Sequence, residues 1–566
     1  MTFRDIRLLL VSVMSKVNGR AHDIEYPVWD SIEDPDCSEP EDGRSGFDIA
    51  RVAASGCHLC KLLYSIASAL SKSENIDHFK FASWLLFRPA SLQPARLRFR
   101  VYQDIDHVVW ETVSLFCDGR PSELRASTPT DRYSGNEDCT KILLDAISNC
   151  ISTHERCKAV GVDKWTPSRL IDVGSNLDNN SVVFLVEKHD FAQNGPDDSP
   201  RYVTLSHIWG DDEICKLNSE TWREFRDQGI NVKHLPKYVQ DAIYFVRQAS
   251  CRYLWIDSLC ILQDSETDWA AEAAMMHMVY SNGLCNLAAC KAMDQSIGLW
   301  EDRDPTLSEA SVLLQYLDTQ RELIMFFDWY EAVEVAPLYK RAWVIQERLL
   351  GRRTIHFTQF PFFECQADLI CEIYQNSTGS RHPAWMSQPR GIPKSLSRWN
   401  NIVYDYAHCA LSKATDRLIA LSGIAQRISF SSNGKYLAGV WSDNLHVDLL
   451  WQVKKRSTGH GLCALRGQTY IAPSWSWASV DEPVDLFLAH VSERLMSVID
   501  ASVRPVHDSE FGQIADGEII LSGHMFGISK WPLIRRSHES FRDSSTFDDW
   551  AWNVDDGDSD LDHTLR

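Results

Sequence analysis

Four acidic residues follow one apolar segment, and their spacing is the strongest chemical signal in this chain of 566 residues. Asp257 ends the segment CRYLWID, Asp264 lies farther along, and Asp268 and Glu272 stand one helical turn apart. If CRYLWI is a buried strand, these carboxylates follow its carboxyl end, where open α/β sheets bind their ligands. The pattern therefore predicts a site for acid–base or charge-stabilising chemistry.

Glu272 is the candidate catalytic residue of this group. It lies within the sequence AAEAAMM, so we expect its carboxylate to be partly buried. Partial burial is typical of carboxylates that act in enzyme sites. The alternative is a solvated or ion-paired position on a helix face. Asp268 has its own alternative, because an acidic residue in the first turn of a helix stabilises the helix dipole.

The elements around these residues predict an α/β unit. Apolar strands are expected at Tyr202–Ser206 and Tyr253–Ile256, with a helix between them that opens with Pro236 in its first turn. The strand–helix–strand order favours adjacent or near-adjacent parallel strands in a three-layer unit. Ser265 and Asp268 resemble a capping box that begins the next helix. That helix is expected to end in a left-handed turn at Asn282-Gly283.

The remainder of the chain divides by composition. Turn-rich segments near residues 178–200 and 366–393 suggest boundaries, and RLRFRV at residues 96–101 alternates as a half-buried strand does. Four units are predicted. They are a cysteine-containing helical and mixed region (residues 1–195), a central α/β domain (200–360), a second mixed α+β region (361–540) and an acidic disordered tail (541–566).

Two groups of metal-ligating residues precede the central domain. They are Cys57-x2-Cys60 and Cys150-x3-His154-x2-Cys157. Cysteine and histidine at such spacings can hold structural zinc, for example through Cys57, Cys60, His154 and Cys157. The alternative is that these cysteines pack as small apolar residues of the core.

Charge and motifs exclude several classes of function. The net charge is −21, from 57 basic and 78 acidic residues, which argues against nucleic-acid binding because phosphate contacts require a basic face. The longest N-terminal apolar run, residues 8–14, is too short to span a membrane and has no signal-peptide cleavage pattern. We therefore expect a cytoplasmic protein. A dehydrogenase or ATPase is not expected, since the chain contains neither GxGxxG nor a Walker A loop.

Five long motifs in order resemble the fungal heterokaryon-incompatibility (HET) domain. They are YVTLSHIWG, LPKYVQDAI, CRYLWIDSLCILQDSETDW, EAAMMHMVYSNGLCNLAAC and LYKRAWVIQERLLGRRTIHF. SRLIDVG before them and PSWSWAS after them also fit. One departure is His207-Ile208, where family members often carry tyrosine and cysteine. The resemblance covers residues 202–357 densely and the flanks sparsely.

The resemblance implies a role in nonself recognition and programmed cell death in fungi, through protein partners or self-association. HET domains are distantly similar to TIR domains, which have a flavodoxin-like parallel sheet flanked by helices. Some TIR domains cleave NAD at the nicotinamide–ribose bond through a helix glutamate that follows a tryptophan. Trp269 and Glu272 occupy a comparable place, although they are one residue closer together than is usual in TIR domains.

This resemblance gives the candidate residues their roles. Glu272 would be catalytic, stabilising or attacking an oxocarbenium ion as an N-glycosidic bond breaks. NAD would be the substrate, with no further cofactor required. Its contacts would come from residues near the ends of the two strands: Ser206, Trp209, Gly210, Asp257, Asp264 and Trp269. The alternatives are a non-enzymatic signalling or oligomerisation module, or a HET paralogue without toxicity. In both of these the tryptophans would be packing residues.

Overall fold

The computed structural model describes most of the chain between residues 133 and 523. Side chains are described in residues 133–158, 165–174, 181–190, 200–210, 215–303, 329–372 except 330 and 331, 399–430, 434–453, 469–486, 496–507 and 509–523. For residues 44–45, 80–86, 95–102, 112–117, 311–316 and 319–326 the strands alone are described. Cys57, Cys60 and the predicted acidic tail lie outside the described residues.

The described strands form two large sheets and three two-stranded sheets. The strands are β1 (Arg44–Ser45), β2 (Lys80–Leu86), β3 (Ala95–Tyr102), β4 (Thr112–Cys117), β5 (Arg169–Asp172), β6 (Val182–Glu187), β7 (Tyr202–Ser206), β8 (Ile230–Asn231), β9 (Tyr253–Ile256), β10 (Asn286–Ala288), β11 (Ser311–Tyr316), β12 (Thr319–Phe326), β13 (Arg353–His356), β14 (Phe362–Cys365), β15 (Leu369–Cys371), β16 (Tyr436–Leu437), β17 (Val440–Trp441), β18 (Gln452–Val453), β19 (Val484–Asp485), β20 (Met496–Pro505) and β21 (Ile514–Gly523).

The α-helices described in the chain lie mostly between these strands. They are α1 (Glu137–Thr153), α2 (Lys188–Phe191), α3 (Thr221–Asp227), α4 (Lys237–Gln248), α5 (Asp257–Cys260), α6 (Glu266–Asn282), α7 (Ala342–Leu350), α8 (Trp399–Ala407), α9 (Ile419–Ser429) and α10 (Leu445–Asp448). Within the described ranges, every helix is too short or too polar to cross a lipid bilayer.

The central sheet has nine strands in the order β15-β14-β13-β10-β7-β9-β5-β6-β8. The four central strands β13, β10, β7 and β9 are parallel, and the strands on either side of them are antiparallel. Tyr202–Ser206 and Tyr253–Ile256 are adjacent parallel strands, as the sequence predicts. The expected parallel sheet is thus the centre of a larger mixed sheet. The other large sheet, β1-β2-β3-β4-β12-β11, is antiparallel and contains the predicted strand at residues 96–101.

Alternation along β7 directs its side chains to two helical layers. The Tyr202 hydroxyl donates to the carbonyl of Val279 in α6, and Ser206 bonds to Glu347 in α7. His207, directly after the strand, stacks on Tyr238 of α4 instead. Because successive strand residues point to opposite faces, α6 and α7 cover one face of the sheet and α4 covers the other. Helix α9 packs on α6 and α7 as an outer layer.

Two sequence predictions about helix ends need correction. Pro236 is the residue before α4 rather than part of its first turn. Helix α6 does end at Asn282, but Gly283 has φ −57°, so its conformation is not left-handed. A Cβ at Gly283 would lie 3.4 Å from the Thr204 side chain, which is an ordinary van der Waals contact.

The central sheet extends beyond residues 200–360. Strands β5 and β6 precede that range, and β14 and β15 follow it. Described residues between Trp399 and Ile519 continue the same apolar core. Within it, the indoles of Trp399 and Trp477, the latter from PSWSWAS, both donate to the carbonyl of Gly439 at 2.9 Å. Gly439 has φ +99°, a conformation that favours glycine.

Candidate functional site at the carboxyl edge of the sheet

The candidate site surrounds the ends of β7, β9, β10 and β13, which we call the carboxyl edge. Along the chain, β7 is followed by β9, its neighbour on one side, and then by β10 and β13, which lie on the other side of β7. Because parallel crossovers are right-handed, connections that run in opposite directions place their helices on opposite faces. Such a change of direction is where open α/β sheets bind their ligands. In this sheet it falls between β7 and β10.

A buried hydrogen-bond cluster fills one side of this edge. The Ser206 hydroxyl donates to Glu347 Oε2 of α7, and the Asn286 amide donates to Ser206 Oγ at 3.0 Å. The Thr204 hydroxyl donates to Asn286 Oδ1 at 2.9 Å. All four side chains are buried. The strand ends of β7 and β10 and helix α7 thus fix a hydroxyl against a carboxyl group.

Burial raises the pKa of Glu347 to about 7. The hydrogen bond from Ser206 opposes this rise, whereas the negative charge of Asp257 adds to it and Arg341 opposes it. A carboxyl group with a pKa near 7 can both accept and release a proton near neutral pH.

The other side of β7 carries an aromatic and acidic group. Trp209 Nε1 donates to Asp257 Oδ2 at 2.8 Å, and His207 Nδ1 lies 3.6 Å from Asp257 Oδ1. Arg341 donates to the carbonyl of His207. Burial lowers the pKa of His207, so its ring is neutral at pH 7. Trp209 is partly buried and Asp257 keeps 26% of its side chain exposed, so this side of the carboxyl edge reaches solvent.

Glu272 is held by Arg169 of β5. Arg169 Nη2 lies 2.6 and 2.7 Å from the two oxygens of Asp268 and 3.2 Å from Glu272 Oε1. Asp268 Oδ2 also accepts from the backbone of Leu262. Ile171 pairs with Leu254 in the antiparallel register of β5 and β9, so Arg169 lies beside the carboxyl end of β9. Glu272 is therefore near the carboxyl edge and forms an ion pair with Arg169. The residues next to Glu272 in the sequence do not predict this ion pair.

Three other residues predicted for the site have different surroundings. Trp269 packs edge-on against Trp343, and the Lys413 ammonium lies over its ring. Asp264 is exposed and accepts hydrogen bonds from the backbone and hydroxyl of Ser219. Gly210 has φ +70°, a conformation in which glycine is favoured. Of the residues assigned to nucleotide contacts, Trp209 and Asp257 contact each other, whereas Ser206 bonds to Glu347 and Asn286 in the buried cluster.

Sequence reasoning missed other residues of this site. Glu347, Arg341, Asn286 and Arg169 all lie within the quoted motifs but were not singled out. Glu347 had a visible signal, because AWVIQERLL places charged residues in an otherwise apolar helix. Its partner Ser206 lies 141 residues earlier, so the pair itself has no local signature.

Two of the predicted zinc ligands lie among the described residues, whereas Cys57 and Cys60 lie outside them. His154 and Cys157 lie in one cluster with Cys150 and Cys365, and the four ligand atoms are all within 4.8 Å of one another. Cys365 was not predicted as a ligand, because it reaches the cluster at the end of β14 through the fold of the sheet.

A separate cavity of about 350 Å³ lies at the opposite ends of the parallel strands. Its lining includes Arg201 before β7, Leu284 before β10, and Arg352 and Arg353 at the start of β13. Lys158 adds a further positive charge. The cavity suits an anionic group by charge, but it is separate from the carboxylates of the carboxyl edge.

Comparison with known proteins agrees with the motifs. A family model described as heterokaryon incompatibility protein (HET) matches residues 202–347. The match begins with the first residue of β7 and ends at Glu347, so it contains β7, β9, β10 and helices α4 and α6. No curated protein and no solved structure matches the chain. The chain therefore carries a heterokaryon incompatibility (HET) domain at residues 202–347.

Proposed function

We propose that this protein acts in heterokaryon incompatibility as a cell-death effector that cleaves the N-glycosidic bond of NAD or a related nucleotide. The HET domain supports the role in incompatibility. The observation that best supports the chemistry is the position of Glu272 beside the carboxyl end of β9, in contact with Arg169. The indole of Trp209 and the carboxylate of Asp257 lie at the same edge.

The charges around Glu272 suit a substrate that becomes positive at its sugar. Arg169 supplies one positive charge, whereas Asp268 and Glu272 supply two negative charges. Among the described residues, Arg169 contacts Glu272 through Oε1 alone, which leaves Oε2 without a hydrogen bond. A carboxylate oxygen with this freedom can stabilise an oxocarbenium ion.

The proposed step breaks the bond between the ribose C1′ and the base nitrogen. The bonding electron pair leaves on the nitrogen, and nicotinamide departs as a neutral molecule. Water oxygen forms the new bond to C1′, and the proton lost from that water goes to solvent. Ser206 and Glu347 add a hydroxyl and a carboxyl group suited to proton transfer near neutral pH.

A non-enzymatic signalling or oligomerisation module is the second candidate. The observation in its favour is the pair of contacts from Arg169 to Asp268 and Glu272, which is also a sufficient structural role for both acids. In that case α6 would be held to β5 and the carboxyl edge would perform no chemistry. A paralogue without toxicity would have the same ion pairs.

The test is incubation of the purified full-length chain with NAD, followed by measurement of free nicotinamide. Glu272→Gln keeps the size of the side chain and removes its charge, so the rate should fall by about two orders of magnitude or more. Glu266→Gln is the matched control, because Glu266 is exposed on the first turn of the same helix. This control should retain the wild-type rate.

Thermal unfolding curves of both variants accompany the rates. Nicotinamide release by a folded Glu272→Gln protein at the wild-type rate would contradict the role of Glu272. Absence of release by the wild-type chain from NAD and from related nucleotides would favour the signalling module or the non-toxic paralogue.

A further inference from the structure

Four metal-ligating side chains meet between α1 and β14. Cys150 lies in the last turn of α1, His154 follows the helix, Cys157 ends the short 3-10 helix Glu155–Cys157, and Cys365 ends β14. Their ligand atoms all lie within 4.8 Å of one another. We propose that these four side chains bind one structural zinc ion.

The distances suit a tetrahedral ion. With Zn–S bonds of about 2.3 Å and Zn–N bonds of about 2.0 Å, neighbouring ligand atoms lie about 3.5–3.8 Å apart. The Cys365 Sγ atom lies 3.4 Å from His154 Nδ1. Three cysteines and one histidine are among the usual ligand sets of structural zinc, and a set of four protein ligands leaves no position for a substrate.

Hydrogen bonds to the sulfur atoms distinguish this cluster from ordinary core cysteines. Cys251, Cys285 and Cys409 donate to backbone carbonyls, as thiols do. In the cluster, sulfur accepts instead: Arg353 Nε lies 3.1 Å from Cys150 Sγ, and the backbone N–H of Asp368 lies 3.2 Å from Cys365 Sγ. Donors directed at sulfur are the surroundings that a metal-bound thiolate requires.

The charges of the site also balance. Three thiolates and a neutral imidazole around a divalent ion carry one net negative charge. Arg353 is buried beside them and offsets that charge. Its Nη2 also donates to the carbonyl of Cys157 at 3.3 Å, which ties the guanidinium to the cluster at a second point.

The ion would join parts of the chain on either side of the HET domain. Helix α1 and the 3-10 helix precede β5, whereas β14 follows the matched residues 202–347. Binding would therefore fix α1 against the β14 end of the central sheet and close the chain around the domain. Because a metal that binds only the folded state stabilises that state, removal of zinc should lower the melting temperature.

Elemental analysis of the purified full-length chain tests the proposal. The expected result is one zinc ion per chain in the wild type and in Cys409→Ser, whose cysteine lies outside the cluster. Cys365→Ser should lose the ion. A wild-type chain without stoichiometric zinc, or a folded Cys365→Ser chain that retains it, would overturn the proposal.

A second measurement on the wild type remains decisive if Cys365→Ser does not fold. A zinc chelator should lower the melting temperature, and added Zn²⁺ but not Mg²⁺ should restore it. Cobalt(II) in place of zinc should give the absorption bands of tetrahedral thiolate coordination. An unchanged melting temperature after complete zinc removal, octahedral cobalt bands, or a disulfide between two of the three cysteines would overturn the proposal.

Discussion

Substitution of Arg169 by methionine should destabilise the protein strongly. The Arg169 side chain is 6% exposed and binds Asp268 at 2.6 Å and Glu272 at 3.2 Å. Arg169→Met leaves two carboxylates, one helical turn apart, without their counter-charge. Removing one partner from a buried ionic group costs about 3–5 kcal/mol, and we expect a loss of unfolding free energy in this range. The assay is chemical denaturation followed by circular dichroism.

A triple variant separates this explanation from simple loss of packing. Arg169→Met combined with Asp268→Asn and Glu272→Gln removes every charge of the cluster, so most of the lost stability should return. Arg226→Met is the control, because Arg226 is 33% exposed in its pair with Glu187 and should contribute at most about 1 kcal/mol. An Arg169→Met protein within about 1 kcal/mol of wild type, or a triple variant without recovery, would refute the reasoning.

Three further expectations follow from the same structure. Burial raises the pKa of Glu347 to about 7 from its ordinary value of 4.5, so the folded state binds the proton more tightly and stability should fall as pH rises from about 4.5 to about 7. Glu347→Gln should remove up to about 3 kcal/mol of this pH-dependent loss of unfolding free energy. A variant whose unfolding free energy depends on pH as in the wild type would contradict this expectation. A Cβ at Gly423 of α9 would lie 2.4 Å from the Cβ of His277 in α6, so Gly423→Ala should lower the free energy of unfolding by about 1–3 kcal/mol and lower the melting temperature. The control is Gly512→Ala, whose Cβ would lie 3.6 Å from its nearest neighbour and should have little effect on the melting temperature. Helix α9 covers α6 and α7, which carry Glu272 and Glu347, so we expect it to restrain the activity of the domain. Residues 133–372, expressed without α9, should then be more toxic in yeast than the whole chain. Equal toxicity, or no toxicity from a stable fragment, would count against this restraint.

Local patterns predicted the elements that carry the site. The apolar runs at Tyr202–Ser206 and Tyr253–Ile256 are parallel neighbours. Ser265 does begin α6, where its hydroxyl oxygen accepts from the backbone of Asp268. These features depend on residues a few positions apart, and periodicity and capping preferences describe such spacings well.

Partnerships between distant residues could not be predicted in the same way. Arg169 lies 103 residues before Glu272, and Ser206 lies 141 residues before Glu347. Such pairs exist because strand order brings their elements together, and strand order is a property of the whole sheet. Cys365 illustrates the same limit, because the spacing of His154 and Cys157 indicated ligand types but not the strand that completes their cluster.

A cell-death assay of the Glu272→Gln protein tests the central claim most directly. The full-length wild type, Glu272→Gln and the exposed control Glu266→Gln would be expressed at equal levels in the same fungal cells, with folding checked by thermal unfolding. The account predicts loss of NAD and death with the wild type and with Glu266→Gln, and survival with Glu272→Gln. Full death activity from a well-folded Glu272→Gln protein would contradict the proposed chemistry and leave the HET domain as a non-enzymatic signalling module.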